Sequence, residues 1–212
     1  MTRTDQLAIE FICGMAMPPA DFVRLAHGLG VSRVGLAPAP ITANPHNFSG
    51  WDLRTDAAML AKTEAALAET GISVAQGEGF LIMPGTRIAD SEPALDLFAR
   101  LGAPIINAVI IEQDRTRAVE EFAALAAMAE TRGIVVTLEF MPLMWPASLT
   151  DAVDFLARTG AANGKLMIDA MHLYRSGSTT ADLAAIDPTL IGYAQLCDVP
   201  LHGIVVPPPP EA

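Results

Sequence analysis

Hydrophobic and polar positions follow two alternating patterns along the chain. Short runs rich in Val and Ile are followed by longer stretches rich in Ala and Leu, with apolar residues at i, i+3 and i+4. The first pattern is typical of parallel strands buried on both faces, and the second is typical of amphipathic helices. Seven runs therefore predict strands, at 7–15, 32–38, 72–80, 104–112, 134–142, 165–172 and 191–198. Six stretches between them predict helices, at 19–30, 56–71, 91–102, 116–133, 148–160 and 179–186.

The regular alternation of strands and helices predicts a parallel sheet, either closed as a (β/α)8 barrel or open and doubly wound. No Gly-x-Gly-x-x-Gly motif follows the first strand, and its absence weakens the hypothesis of a dinucleotide-binding open sheet. Polar residues instead follow several different strands: Glu78, Glu112, Glu139, Asp169, Gln195 and Asp198. The carboxyl ends of barrel strands converge on one mouth, so an α/β TIM barrel explains these positions better.

The chain is short for a complete barrel. Its 212 residues supply seven predicted strands, and an eighth unit would need roughly 40 more residues, given a typical barrel length of about 250. We therefore expect a TIM barrel truncated after strand seven, with a single domain at 1–200 and a Pro-rich tail at 201–212. Strands one and seven would be open edges, which favours association with a second copy as a homo-oligomer.

Composition narrows the environment and the partners. Hydrophobic residues make up 51% of the chain, which is enough for one large core. The net charge of −11 repels phosphate backbones and anionic lipid, so we expect neither a nucleic-acid partner nor a membrane partner. The two cysteines, Cys13 and Cys197, form no Cys-x-x-Cys pair, and no apolar run approaches the roughly 20 residues of a membrane span. These features predict a cytoplasmic protein with two reduced core thiols.

Three oxygen donors end three successive predicted strands: Glu139, Asp169 and Gln195. A carboxylate at the rim of a core is costly unless it is paired or binds a cation. The set suits Mn²⁺ or Mg²⁺, with Zn²⁺ or Co²⁺ as alternatives. Such a metal would hold a substrate's carbonyl and adjacent hydroxyl oxygens, and would stabilise the enediolate formed when a base removes the α-proton.

Each donor also has a purely structural interpretation. Glu139 could pair with a Lys or Arg at the rim, and Gln195 could bond to backbone at the end of its strand. Asp169 could cap a short helix that begins near Met171. Asp198, ahead of Val-Pro, could form a turn or support a ligand.

Three segments carry a resemblance to a known family. "LEFMP", "MIDAMHLYRSG" followed by "TTADL", and "YAQLCD" resemble, in order and spacing, the sugar phosphate isomerase/epimerase family of xylose-isomerase-like TIM barrels. The resemblance implies that Glu139, Asp169 and Gln195 bind a divalent metal and that Glu139 is also an acid/base group. The family's fourth ligand, a Glu on strand eight, has no counterpart here. The resemblance also makes His172 a catalytic or substrate-contacting group.

The remaining candidates concern the substrate. Arg175 would hold an anionic or hydroxylated end bidentately, and Glu78 and Glu112 could bond to substrate hydroxyls. His46 lies in a long loop after strand two that could cover the mouth. Trp145 follows strand five and either walls the pocket or packs its own loop.

Four functions are compatible with these residues. The first is a metal-dependent isomerase or epimerase acting on a small sugar, a keto-polyol or a cyclic polyol. The second is a lyase, because a Gln at the third ligand position resembles bacterial 3-dehydroshikimate dehydratases. The third is a non-catalytic truncated barrel. The fourth, a DNA-repair endonuclease of the endonuclease IV type, is disfavoured by four His residues and the acidic net charge.

Overall fold

One parallel sheet of seven strands organises the chain. The computed structural model describes residues 7–197. Its strands β1 to β7 are Ala8–Ile9, Arg33–Leu36, Ser73–Ile82, Ile105–Ile110, Val135–Glu139, Gly164–Asp169 and Ile191–Gln195. They lie in chain order, and each neighbouring pair is parallel. In an open doubly wound sheet the strand order reverses at a switch point. The sequential order from β1 to β7 seen here is the order of a barrel. The predicted TIM-barrel class is therefore confirmed.

Helices follow the strands in the predicted alternation. The α-helices α1 to α7 are Pro19–Gly28, Ala57–Thr70, Glu92–Arg100, Arg115–Glu130, Leu149–Thr159, Ala170–Arg175 and Thr180–Ala185. Short 3-10 helices lie at Phe11–Gly14, Ile88–Ser91 and Pro188–Leu190. Within residues 7–197 no helix combines the length and apolar character needed to cross a membrane. The predicted tail at 201–212 lies outside the described residues.

The first predicted strand is much shorter than expected. The run 7–15 contributes only two strand residues and then turns into the 3-10 helix Phe11–Gly14. The turn places the Phe11 ring, which is wholly buried, edge-on to Phe22 and to Trp51 at centroid distances of 5.3 and 5.5 Å. An apolar run without a turn signal therefore ends early because aromatic packing outweighs extension of the strand.

The sixth predicted strand ends at Asp169 and not at His172. The Asp169 side chain accepts a hydrogen bond from the backbone N–H of His172, and α6 begins at Ala170, directly after Asp169. This N-cap satisfies one of the free N–H groups at the start of the helix. The helix Ala170–Arg175 was predicted only as the structural alternative for Asp169.

The two faces of the sheet have different chemistry. The face toward the helices is apolar: a Cβ at Gly77 would lie 2.6 Å from the ring of Phe98, and Phe122 packs edge-on against Phe155 at 5.4 Å. The inner face carries polar groups, since Thr137 and Gln76 are wholly buried. Successive side chains of a strand alternate between faces, so strands that read as apolar runs still carry single polar residues inward.

A side-chain hydrogen bond joins the two ends of the sheet. Tyr193 on β7 donates to Oε1 of Glu10, the residue after β1, at 2.8 Å. Because β1 and β7 are first and last in the strand order, this contact requires the sheet to curl into most of a cylinder. Polar side chains on the inner face therefore surround one interior.

The cysteine prediction was half wrong. Cys13 and Cys197 are both free, but both are exposed and neither belongs to the core. Both predicted strands are shorter in the structure: Cys13 lies in the 3-10 helix Phe11–Gly14, and Cys197 follows β7. Neither thiol therefore lies in a buried strand.

The contact of Gly77 with Phe98 gives a stability prediction. Gly77→Ala should destabilise the fold by about 1–3 kcal/mol, because the added methyl group overlaps a wholly buried ring. Gly28→Ala is the matched control: nothing lies within 4 Å of its Cβ position near the end of α1, so stability should stay equal or rise slightly. Urea unfolding of both variants tests the pair, and equal stabilities would contradict the assigned outer face of β3.

Candidate active site

Glu139, the last residue of β5, is held from two sides. Asn107 Nδ2 donates to Glu139 Oε2 at 2.6 Å, and His172 Nε2 lies 3.5 Å from Oε1. The Thr137 hydroxyl donates to Asn107 Oδ1 at 3.0 Å, which orients the amide with its NH₂ toward Glu139. The side chains of Glu139 and His172 are each 15% exposed. The result is an oriented carboxylate that solvent still reaches.

Asp169 connects the end of β6 to α6. Its Oδ1 accepts the His172 N–H at 2.9 Å, and the Cys197 Sγ lies 3.4 Å from Oδ2. Partial burial, followed by the charge of Asp169, raises the pKa of the Cys197 thiol, so the thiol stays protonated and donates to the carboxylate. The N-cap interpretation of Asp169 is thus confirmed. The helix that it caps turns His172 toward Glu139.

The strand register places the three predicted metal ligands on one face. Glu139 pairs with Met167, which lies two residues before Asp169, and Asp169 pairs with Gln195. Register partners, and residues two apart in a strand, share a face of the sheet. Glu139, Asp169 and Gln195 therefore lie on the inner face at three adjacent strand ends.

This donor set fits a hard divalent ion by chemistry, with limits. Residues 7–197 contain no group of three or more His, Cys, Asp or Glu side chains able to hold a metal, so a site here depends on the Gln195 amide oxygen as third donor. Each carboxylate keeps acceptor capacity beyond its hydrogen bonds, since a carboxylate offers about four lone-pair positions. Carboxylate and amide oxygens are what Mg²⁺ and Mn²⁺ prefer.

A pocket of about 150 Å³ opens beside His172. Its wall is mostly apolar, and the loop after β5 supplies four of its residues. It is lined by Met141, Pro142, Leu143, Met144, His172 and Arg175. Arg175 and His172 thus line the same pocket.

A second group of polar side chains lies on the inner face of β1 and β3. Glu78 Oε1 accepts the Phe11 N–H at 3.1 Å. A Cβ at Gly35 would collide with Glu10 Oε2 and would lie 2.8 Å from Glu78 Oε1, so both carboxyl groups lie over this glycine. Burial, and then the neighbouring Glu10, raises the pKa of Glu78 well above its ordinary range.

Sequence reasoning had overlooked Glu10. The signal was present, because Glu10 interrupts the apolar run "LAIEFICGM" in the same way that Glu139 interrupts the run "VTLEF". In the structure Glu10 directly follows β1 and Glu139 ends β5, and charged residues at the carboxyl ends of barrel strands lie at the mouth.

Three other predicted site residues make their contacts elsewhere. Glu112 Oε1 accepts the N–H groups of Gln113 and Asp114, and its Oε2 pairs with Arg117. These bonds hold the loop that leads into α4, so Glu112 is not part of the Glu139 group.

His46 and Trp145 contact other aromatic rings. His46 is exposed and lies beside Phe48, with ring centroids 5.7 Å apart. Trp145 packs its ring on Phe155 at 5.2 Å and under the Arg115 guanidinium at 4.8 Å. Trp145 thus packs its own loop against the helical layer. Asp198 lies outside the described residues.

Comparison with known proteins supports the fold. The family model described as xylose isomerase-like TIM barrel matches residues 20–204. No curated protein matches the chain in sequence. The solved structure of IOLI protein with a bound zinc atom superposes with a TM-score of 0.73 at 15% identity, covering 92% of this chain and 74% of that one.

Two further solved structures have named activities. The probable 3-DHS dehydratase AsbF of Bacillus anthracis has a TM-score of 0.68 at 15% identity, over 88% of this chain and 71% of its own. The 3-keto-D-glucoside 4-epimerase of E. coli has a TM-score of 0.70 at 15% identity, over 92% and 79%. The chain also covers 32% of a fusion protein that joins a xylose isomerase-like TIM barrel to a 4-hydroxyphenylpyruvate dioxygenase.

The raised pKa of Glu78 predicts how stability depends on pH. The folded chain keeps this proton to higher pH than the unfolded chain, whose Glu pKa is about 4.3. The group's contribution is therefore complete below about pH 4.3 and is lost as pH rises through the folded pKa. Glu78→Gln removes that loss, so its stability relative to wild type should increase as pH rises from about 4.3 through the folded pKa of Glu78.

Urea unfolding at several pH values measures this difference. Glu130→Gln, at an exposed position of α4, is the matched control and should follow the wild-type profile. Parallel profiles for Glu78→Gln and wild type would show that Glu78 is ionised in the folded chain.

Proposed function

The chain belongs to the xylose isomerase-like TIM barrel family, and from that premise we propose that it is a metal-dependent isomerase or epimerase of a small sugar or keto-polyol. The membership confirms the resemblance carried by the three sequence segments. The observation that carries the proposal is Glu139, held by Asn107 and facing His172 at the inner end of three adjacent strands.

Glu139 is the base in this proposal. Asn107 fixes Oε2, so Oε1 is the oxygen that faces His172 and the mouth. A carboxylate whose orientation is already fixed loses little freedom when it takes a proton from a carbon next to a carbonyl group. Proton removal from such a carbon is the first step of both epimerisation and isomerisation of a ketose.

His172 is the proton-handling partner. Its Nε2 lies 3.5 Å from Glu139 Oε1, and its Nδ1 is buried without a hydrogen-bond partner among the described residues. The ring is therefore positioned by the cap at Asp169 and not by a bond to Nδ1. Such a ring can receive the proton from Glu139 or donate to a substrate oxygen.

The Glu139, Asp169 and Gln195 side chains would hold the metal. Support comes from their oxygen chemistry, their shared face, and the zinc atom of the structurally similar IOLI protein. When bound, a divalent ion supplies positive charge to a substrate's carbonyl and hydroxyl oxygens. The preferred ions are Mn²⁺ and Mg²⁺, with Zn²⁺ or Co²⁺ as alternatives.

The apolar pocket beside His172 would take the remainder of the substrate. Met141, Met144 and their neighbours exclude water from one side of the mouth, and Arg175 offers a planar donor to an anionic or hydroxylated end. A small carbohydrate could place its carbonyl group near the metal ligands and its other end in this pocket.

A lyase of the 3-dehydroshikimate dehydratase type is the second candidate. It is favoured by Gln195 as the third donor, and by structural similarity to the probable dehydratase AsbF. Its chemistry begins with the same proton removal and then expels water instead of returning the proton. Product analysis with ketoses and with 3-dehydroshikimate separates the two candidates.

Glu139→Gln tests the base and the metal site together. The variant should lose deuterium incorporation from D₂O into a turned-over ketose by a factor on the order of 10² to 10⁴, and should bind less Mn²⁺ by elemental analysis. The amide keeps the shape but can neither accept a proton nor balance the charge of the ion.

Glu130→Gln is the control, since it removes a carboxylate from an exposed helix position, and it should match wild type in both measurements. Unchanged metal content and unchanged exchange in Glu139→Gln would refute the proposal.

A further inference from the structure

Two carboxyl groups face each other inside the curled sheet, on elements other than those that carry the predicted metal ligands. We call them the Glu10–Glu78 pair. Tyr193 donates to Glu10 Oε1 at 2.8 Å and the Phe11 N–H donates to Glu78 Oε1 at 3.1 Å. Gly35 makes room for both groups, since a Cβ there would collide with one and crowd the other. Glu10 Oε2 is buried and has no donor among the described residues.

Two ionised carboxylates are not stable in this arrangement. Like charges a few Å apart in a shielded interior repel strongly, and one of them takes up a proton. A proton on Glu78 would also give Glu10 Oε2 the donor that the other described residues do not provide, and a buried acceptor without one is costly. The raised pKa of Glu78 agrees with this geometry.

We propose that the Glu10–Glu78 pair holds one proton at neutral pH and that Glu78 is a second catalytic residue, the acid that delivers this proton to the substrate opposite Glu139. The inference rests on the proposed function for its substrate. The inference adds a catalytic acid on β3, and this acid is not one of the predicted metal ligands.

The position of the pair suits a donor opposite the base. Four places in the strand order separate β1 from β5, and the Tyr193–Glu10 bond shows that the sheet curls until β7 reaches β1. In such a ring Glu10 lies on the wall across from Glu139. Glu78 lies on β3, two places before β5, and its carboxyl group meets that of Glu10 over Gly35 of β2, on the side of Glu139 away from β6 and β7. Glu139 is still close enough to contribute to the raised pKa of Glu78.

A second feature of this wall indicates a polar ligand. Gln76 lies two residues before Glu78 on β3 and is the register partner of Gly35. Its side chain is wholly buried, and both its Nε2 and its Oε1 lack a partner among the described residues. An amide aimed inward without partners can donate to a substrate oxygen and accept from a hydroxyl at once.

The proton transfers balance. Glu139 takes the proton of the carbon next to the carbonyl, and the C–H electrons move toward the carbonyl oxygen. The O–H bond of Glu78 then breaks, and its proton forms a new C–H bond on the opposite face of that carbon. The pair is left ionised and Glu139 protonated, and exchange with solvent restores both. If the reaction is a dehydration, the C–O bond of a neighbouring hydroxyl group breaks instead, and the Glu78 proton joins that hydroxyl group to form water.

Other titratable and charged groups face the pair. Burial, followed by Glu10 and Glu78, raises the pKa of the Cys13 thiol, which therefore stays neutral. Tyr193 has its pKa raised by burial and by Glu10, so it remains a hydrogen-bond donor, while Arg33 acts in the opposite direction. With Glu139 across the interior, the pair thus meets more negative than positive charge, which favours retention of its proton.

Infrared difference spectroscopy of the full chain at neutral pH tests the shared proton without any substrate. Wild type should show the C=O absorption of one protonated carboxyl group, which Glu78→Gln should lack and Glu139→Gln should keep. Glu10→Gln, which removes the partner charge, should move the titration of this absorption to lower pH. A wild-type spectrum without the absorption overturns the proposal.

Deuterium incorporation and stereochemistry test the catalytic role, with D-fructose and related ketoses in D₂O with Mn²⁺ as probes. Glu78→Gln should keep exchange of the substrate proton, because Glu139 is intact, and should lose the inverted product by at least about 100-fold. Full formation of inverted product by Glu78→Gln overturns the role of Glu78. A wild type with the infrared absorption but no exchange on any ketose or on 3-dehydroshikimate refutes the proposed function and the catalytic role, and leaves the shared proton established.

Discussion

The cost of burying carboxylates governs the interior of this sheet. An ionised carboxylate shielded from water must be met by donors, by a proton or by a cation. Glu139 meets Asn107, Asp169 meets the N–H of His172, and Glu10 meets Tyr193. Asn107 on β4 and Tyr193 on β7 belong to other strands than the carboxylates they bind, so satisfying Glu139 and Glu10 also helps to hold the strands in their curled arrangement.

The glycines in β2 and β3 show how the two faces are kept apart. Gly35 leaves space on the inner face for the carboxyl groups of Glu10 and Glu78, and Gly77 leaves space on the outer face for the ring of Phe98. A side chain at either position would displace a polar group inward or an aromatic ring outward. The polar interior and the apolar helical layer therefore depend on the same short segment of sheet.

The order and type of the main elements followed from periodicity alone, because buried parallel strands and amphipathic helices leave different patterns. The strand ends did not. The turn after Glu10 depends on Phe11 packing against Phe22 and Trp51, and the break after Asp169 depends on its bond to His172. Both are contacts of side chains with their surroundings, which an apolar run does not reveal.

The same limit separates the candidate residues. Glu139, Asp169 and Gln195 were predicted because strand ends in a barrel converge, whereas His172 was predicted from the family resemblance. The register brings the three donors to one face. Glu112 also ends a predicted strand, yet Arg117 and the start of α4 engage its carboxylate. Trp145 similarly turns to Phe155. Position in a strand predicts that a side chain is near the mouth, whereas its partners decide whether it is available.

The arrangement of base and acid bears on the choice between isomerase and lyase. Glu139 ends β5, and the Glu10–Glu78 pair lies over Gly35 of β2 in the same interior, so in the proposed reaction a substrate carbon between them would lose a proton to one wall and meet an acid on another. If a hydrogen-accepting carbon faces Glu78, the proton returns and the centre is inverted. If a hydroxyl group faces it, the same proton leaves as water. In the proposed mechanism one set of side chains thus supports both reactions, and the orientation of the substrate in the pocket beside His172 would select between them.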